Sequence, residues 1–140
     1  GHYRIGRFLG EGAFGLVFEG VHVVTGGRFA VKVLTPSTAL EAVADFENEA
    51  VLLRRLNTCK GVVSYVDGGE HPVFATASDG TPFPPINVRY HVLALASGSL
   101  DELLDDPDTR SQLPWDERMR LWRSAVKCVM QMHQGGVAHR

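Results

Sequence analysis

What the sequence has little of narrows its chemistry first. Its two cysteines, Cys59 and Cys128, lie far apart and without C-x-x-C spacing, which favours reduced thiols in a cytosolic setting over a disulfide framework. There is no run of lysine or arginine, and the formal net charge is −2, so nothing suggests a nucleic-acid partner. Every apolar run falls short of a membrane span. No charged-then-apolar leader precedes Gly1, so there is no signal peptide to read; since Gly1 is not methionine, the true N-terminus is expected upstream. These shortages point to a cytoplasmic or cytoplasmic-facing protein with no membrane segment. What is present suits a packed core: 140 residues, 44% hydrophobic and 21% charged, one globular domain or part of one.

The most informative stretch runs from Gly10 to Lys32. Gly10, Gly12 and Gly15 interrupt a β-rich run, with Val17 two residues beyond the last. Glycine reaches backbone angles closed to other residues and lets the main chain approach a ligand closely. Clustered amide N–H groups can then face phosphate oxygens. A dinucleotide fingerprint would require a helix directly after the glycines. Leu16 to Val23 is instead β-branched and aromatic and reads as a strand, which makes the glycines part of a strand–turn–strand hairpin. The P-loop pattern fails as well, because no Gly-Lys-Ser/Thr follows. After the Gly26-Gly27 turn signal, Arg28 to Leu34 reads as another strand with Lys32 inside an apolar run. A lysine buried there is costly unless an anion pairs with it. A plain β-hairpin with turn glycines is the bland alternative.

Further along, Thr38-Ala39-Leu40-Glu41 has the form of a capping box, and Leu40, Val43, Phe46, Ala50, Leu53 and Leu56 recur at helical spacing. Arg54 and Arg55 fall in the last turn, where positive charge suits the helix dipole. Glu41, Asp45 and Glu49 share one face and repel one another unless a cation is near; Glu47 lies on a different face. Gly61 to Glu70 reads as a strand ending in a Gly68-Gly69 turn. The proline-rich stretch 71–85 reads as a surface loop with a brief strand extension at Val73 to Thr76. Asn87 to Leu95 reads as a fifth strand. Asp105 to Asp108 reads as a solvated acidic turn rather than a metal site. Pro114 suits the first turn of a helix from Trp115 to Gln134, closed by Gly135-Gly136. Its stripe of Leu121, Trp122, Ala125, Val126, Val129, Met130 and His133 reads as core, and His133 as a packed or capping residue.

Taken together, Gly10-x-Gly12-x-x-Gly15-x-Val17 and Ala30-Val31-Lys32 resemble the glycine-rich loop and third-strand lysine of the protein kinase family. Val137-Ala138-His139-Arg140 resembles the opening of its H-R-D catalytic loop, stopping one residue short of the aspartate. The resemblance implies an α+β fold: a kinase N-lobe over residues 1–95, with a five-stranded antiparallel sheet and one packed helix, a hinge at 96–99, and the first helices of a C-lobe over 100–140. It implies that Glu49 pairs with Lys32 and holds its ammonium toward the α- and β-phosphates of ATP. Leu9, Val17 and Ala30 would flank the adenine, Phe14 would cover the phosphates, and Leu93 would be the gatekeeper. Ala94 and Ala96 would offer backbone groups to the adenine edge, and Ser99 would fall near the ribose. Many relatives carry an acidic residue where Ala94 stands, a departure of little consequence for main-chain contacts.

The implied activity is transfer of the ATP γ-phosphoryl group to Ser/Thr hydroxyls of a protein substrate, with Mg2+ ligands and the catalytic aspartate beyond Arg140. Three expectations attach to that. The chain is a truncated domain, inactive on its own; no metal ligand lies within it; and the Trp122–Met130 face is partly uncovered. Two alternatives stay open: a pseudokinase or nucleotide-binding signalling module, and a kinase-like small-molecule phosphotransferase.

Overall fold

In the computed structural model the described residues are 2–12, 14–35, 40–105, 107 and 113–138. They fall into two compact units, one comprising Gly1–Val51 with Tyr65–Leu95 and the other Leu52–Ser64 with Ala96–Arg140. The first unit is a five-stranded antiparallel sheet with a helix against it. Its strands are β1 (Tyr3–Gly12), β2 (Gly15–His22), β3 (Arg28–Leu34), β4 (Tyr65–Val73) and β5 (Ile86–Ala94), in the spatial order β1-β2-β3-β5-β4. The α+β reading therefore holds. β3 runs between the residues its pattern marks out, because Gly26 takes the positive φ of 71° that the preceding turn needs.

Helix α1 (Leu40–Arg55) follows β3. Thr38 and Ala39, half of the expected capping box, lie outside the described residues, but Glu41 opens the helix and Arg54 and Arg55 close it with the charges its dipole favours. Phe46 is fully buried and Ala50 nearly so, whereas Leu40 at the helix start is exposed. On the sheet, register places Lys32 opposite His91 and Val31 opposite Val92. Side chains alternate across a strand, so Lys32 and His91 share one face. The Phe46 ring stacks on His91 there, with centroids 3.8 Å apart and planes 17° apart, and Tyr65 meets the same imidazole edge-on. Val31 and Val92 occupy the opposite side and are also buried. The sheet curls enough for the Tyr3 hydroxyl on one edge strand to donate to Asp67 Oδ2 on the other, at 3.3 Å. The curl shelters a cavity of about 400 Å³ whose lining includes Tyr3, Phe18, Val31, Val33 and Tyr90.

Two readings of the middle of the chain are corrected. Gly68 and Gly69 do not end a strand; they sit inside β4, which runs on to Val73. Glycine is needed at 68 for space, since a Cβ there would lie 2.3 Å from the Tyr65 hydroxyl and 2.8 Å from the Tyr90 carbonyl oxygen. The 71–85 stretch extends the β4–β5 hairpin rather than leaving it. Thr76 bridges Pro82, and Asp79 Oδ1 accepts the Thr81 amide to shape the turn.

In the second unit, α2 (Leu100–Asp105) and α3 (Trp115–Gln134) are the helices that follow α1 in the described chain. Pro114 occupies the N-cap of α3, and Asp116 and Glu117 begin it. Gly136, at φ 73°, ends it, with its amide donating to the His133 carbonyl and the Val137 amide to that of Met132. His133 itself is exposed rather than packed, and so are Trp122, Val126, Val129 and Met130; the stripe read as core is open there, as expected for the Trp122–Met130 face, while Leu121 is half-buried. Both thiols are free, with Cys128 Sγ donating to the Gly61 carbonyl at 3.2 Å. Asp106, Asp108, His139 and Arg140 lie outside the described residues.

Since Phe46 is the largest fully buried side chain among the described residues, Phe46→Ala should lower unfolding free energy by about 3–5 kcal/mol. Chemical denaturation of the intact protein measures it, and a loss under about 1 kcal/mol would show that α1 does not anchor the first unit's core.

Candidate functional site

One ionic contact dominates the α1 face of the sheet. Lys32 Nζ donates to Glu49 Oε2 at 2.5 Å, joining the middle of β3 to α1. The lysine side chain is only 12% exposed and the glutamate 30%, so the ammonium is largely withdrawn from water and relies on the carboxylate as its counter-charge. Lys32 is in the sheet because its neighbours Val31, Val33 and Leu34 make a strong strand. Glu49 faces it because Phe46 and Ala50 turn that side of the helix inward. Glu47 points elsewhere, to Arg89 Nη1 at 3.4 Å. The ammonium also lies 5.8 Å from the Phe14 ring centroid and 5.9 Å from that of Phe46, a favourable placement for a cation. Glu49 occupies only part of its donor capacity, leaving N–H groups to meet a second anion.

The glycines lie beside this pair. β1 and β2 close on one another through Gly10↔Val17, Glu11↔Leu16 and Gly12↔Gly15, and Val17 pairs in turn with Lys32. The strands therefore reach further into the loop than Leu16 to Val23 suggests, β1 running to Gly12 and β2 beginning at Gly15. None of the three glycines takes a positive φ, so left-handed backbone is not the reason for them. At Gly15 the reason is contact: a Cβ would lie 2.0 Å from the Val33 carbonyl oxygen. A Cβ on Gly12 would meet Lys32 Cε at an ordinary 3.9 Å, and one on Gly10 would meet nothing within 4 Å. The turn thus passes close to the lysine stem. An ammonium with spare donors beside the paired Gly12 and Gly15 is a donor set that fits a polyphosphate.

Among the apolar candidates, Ala30 pairs with Leu93 and Phe29 with Ala94, which sets β3 and β5 side by side. Leu93 is buried, Leu9, Val17 and Ala30 are half-buried, and Ala94 is exposed. Ala96 and Ser99 belong to the second unit. Ser99 caps α2: its Oγ accepts the Glu102 amide at 3.0 Å, while Glu102 Oε2 accepts the Ser99 amide at 2.9 Å. That capping box was legible in Ser99-x-x-Glu102.

Sequence reasoning missed two ionic groups that frame the site. Glu19 of β2 accepts from Arg7 Nε at 3.0 Å and Arg28 Nε at 2.6 Å, tying together the three strands that carry the glycines and Lys32. These hydrogen bonds, Arg28 first and Arg7 second, hold the Glu19 carboxyl below the usual glutamate range, while the same contact raises Arg28. Arg89 is the second: its Nε donates to Glu70 Oε1 at 2.6 Å while Nη1 reaches Glu47. Neither has a spacing signal, because each partnership depends on strand register.

Comparison with known proteins shows the family. Residues 3–140 match the protein kinase domain. The chain is 32% identical over 139 residues to calcium/calmodulin-dependent protein kinase type I of Schizosaccharomyces pombe, covering 99% of this chain and 37% of that protein. It is 31% identical over 144 residues to CBL-interacting protein kinase 1 of Oryza sativa subsp. japonica, covering 100% and 27%. It is 31% identical over 131 residues to a probable LRR receptor-like serine/threonine-protein kinase of Arabidopsis thaliana, covering 92% and 13%. The chain spans well under half the length of each.

Steric demand should separate the glycines. Gly15→Ala is expected to cost about 1–3 kcal/mol of stability through overpacking, and Gly10→Ala to leave the melting temperature within about a degree or two; equal effects would contradict the close approach at Val33. The Glu19 carboxyl is depressed when folded, so its ion pairs stabilise above the ordinary glutamate pKa of 4.5 and that contribution fades as pH falls through the lower folded value. The melting-temperature gap between wild type and Glu19→Gln should be full at pH 7 and shrink below pH 4.5. A gap constant down to strong acid would rule the ladder out.

Proposed function

The chain belongs to the protein kinase family, and on that premise we propose that its parent protein binds ATP with Mg2+ and phosphorylates Ser or Thr hydroxyls of protein substrates. The observation that carries this reading is the Lys32–Glu49 pair at 2.5 Å beside the Gly12–Gly15 turn. When bound, the nucleotide supplies the transferable phosphoryl group and Mg2+ offsets its charge. Glu49 keeps the lysine extended, so that its remaining donors meet oxygens of the α- and β-phosphates. Amides of the glycine turn add backbone donors, and Phe14 shields that region from water. Leu9, Val17, Ala30 and Leu93 offer apolar surface to the adenine, and Ala94 offers backbone groups to its edge. Phosphoryl transfer depends on such positioning and charge stabilisation more than on covalent participation by the protein.

Serine and threonine are favoured as acceptors by the serine/threonine-protein kinase among the relatives. Free thiols at Cys59 and Cys128 suit a cytoplasmic or cytoplasmic-facing location. Among the described residues no helix is long and apolar enough to cross a membrane.

Titration with Mg–ATP tests the reading. Lys32→Ala should weaken binding at least about tenfold, the equivalent of one charge-assisted hydrogen bond of about 1.4 kcal/mol, and Glu49→Gln should weaken it less. Equal affinity in wild type and Lys32→Ala would remove the role assigned to the lysine.

A further inference from the structure

We propose that Arg89 is a positioning residue for the nucleotide site, fixing the rotation of α1 about its own axis and so keeping Glu49 against Lys32. The inference rests on the reading of Lys32 and Glu49 given above and adds a residue that does not touch the nucleotide.

Phe46 and Ala50 mark the inward stripe of α1, at 0% and 2% exposure. With about 100° of turn per residue, Glu47 and Glu49 fall on opposite flanks of that stripe, each about 80° from its centre. Each flank has its own cation. Lys32 of β3 holds Glu49 at 2.5 Å, and Arg89 of the adjacent strand β5 holds Glu47 at 3.4 Å. Between them Phe46 lies flat on His91, which shares a sheet face with Arg89 because the two are separated by one residue along β5. A stacked ring constrains distance well and rolling poorly. The flanking pairs supply what the stack lacks. A roll that lifts Glu49 from Lys32 presses Glu47 into the guanidinium, and the opposite roll pulls Glu47 off it.

Arg89 is itself held. Glu70 stands directly opposite it in the β4–β5 register and accepts from Nε at 2.6 Å, while Nη1 is turned to the helix. A planar guanidinium can serve two carboxylates from different nitrogens in a fixed fork; an ammonium lacks that geometry.

The test is nucleotide affinity, with Mg–ATP as the probe, in intact wild type, Arg89→Ala, Arg89→Lys, Glu47→Gln, Glu49→Gln and the Arg89→Ala/Glu49→Gln double variant, each with its melting temperature. Arg89→Ala should weaken binding about threefold, in line with a half-exposed ion pair acting at one remove. Glu47→Gln should match it and Arg89→Lys should recover part of it. In the Glu49→Gln background the Arg89 change should have no further effect, since it acts through Glu49. Unchanged affinity in Arg89→Ala, whatever its melting temperature, overturns the proposal, and so does an equal loss in both backgrounds. If wild type fails to bind Mg–ATP, or Lys32→Ala binds as wild type does, it is the nucleotide-site reading that fails. The clamp is then read from amide hydrogen exchange of residues 46–52 without nucleotide: faster exchange in Arg89→Ala supports it, and unaltered exchange overturns it.

Discussion

A lysine in the middle of a sheet demands a counter-charge, and the first unit is built around supplying one. β3 cannot provide it, because its remaining side chains are apolar or lie at its end. The carboxylate comes from α1, so that helix must lie on the sheet at a fixed height and rotation. Phe46 sets the height by burying a whole ring against His91, and Glu49 completes the ion pair. Hydrophobic burial and charge pairing thus reinforce one another: the apolar contact brings the carboxylate near, and the ion pair makes the lysine tolerable in a mostly covered place.

The two sides of the sheet divide the work. One carries Lys32, His91 and α1. The other is closed over a cavity by the Tyr3–Asp67 contact between edge strands, and that cavity is lined by none of the residues assigned to the nucleotide. The Glu19 ladder crosses β1, β2 and β3 and holds the glycine-bearing hairpin onto the strand with the lysine. Its strength lies in joining three strands through one carboxylate, since isolated exposed pairs contribute little.

Much of this was legible beforehand, for identifiable reasons. β3 was readable because its pattern is strong and Gly26 punctuates it. α1 was readable from the spacing of Phe46, Ala50 and Leu56, and the implied partnership of Lys32 with Glu49 is present as a contact. β4 was misread because Gly68-Gly69 looks like a turn, while its real cause, crowding by Tyr65 and Tyr90, exists only after the strands pair. The same limit hid Arg89: nothing along the chain connects residues 47, 70 and 89 until register and helix docking bring them together. The stripe on α3 was correctly apolar, yet periodicity identifies a face without saying what covers it. The reason given for the glycine loop also changed, from unusual backbone angles to tight contact at Gly15.

The account stands or falls on Lys32 being the ammonium that a nucleotide meets. The sequence has three lysines, Lys32, Lys60 and Lys127, and the latter two are exposed while Lys32 is not. Labelling with an adenosine analogue bearing a lysine-reactive group, read by peptide mass spectrometry, separates recognition from mere accessibility. The account predicts modification chiefly at Lys32, suppressed by excess Mg–ATP. Modification of Lys60 and Lys127 with Lys32 untouched would contradict it.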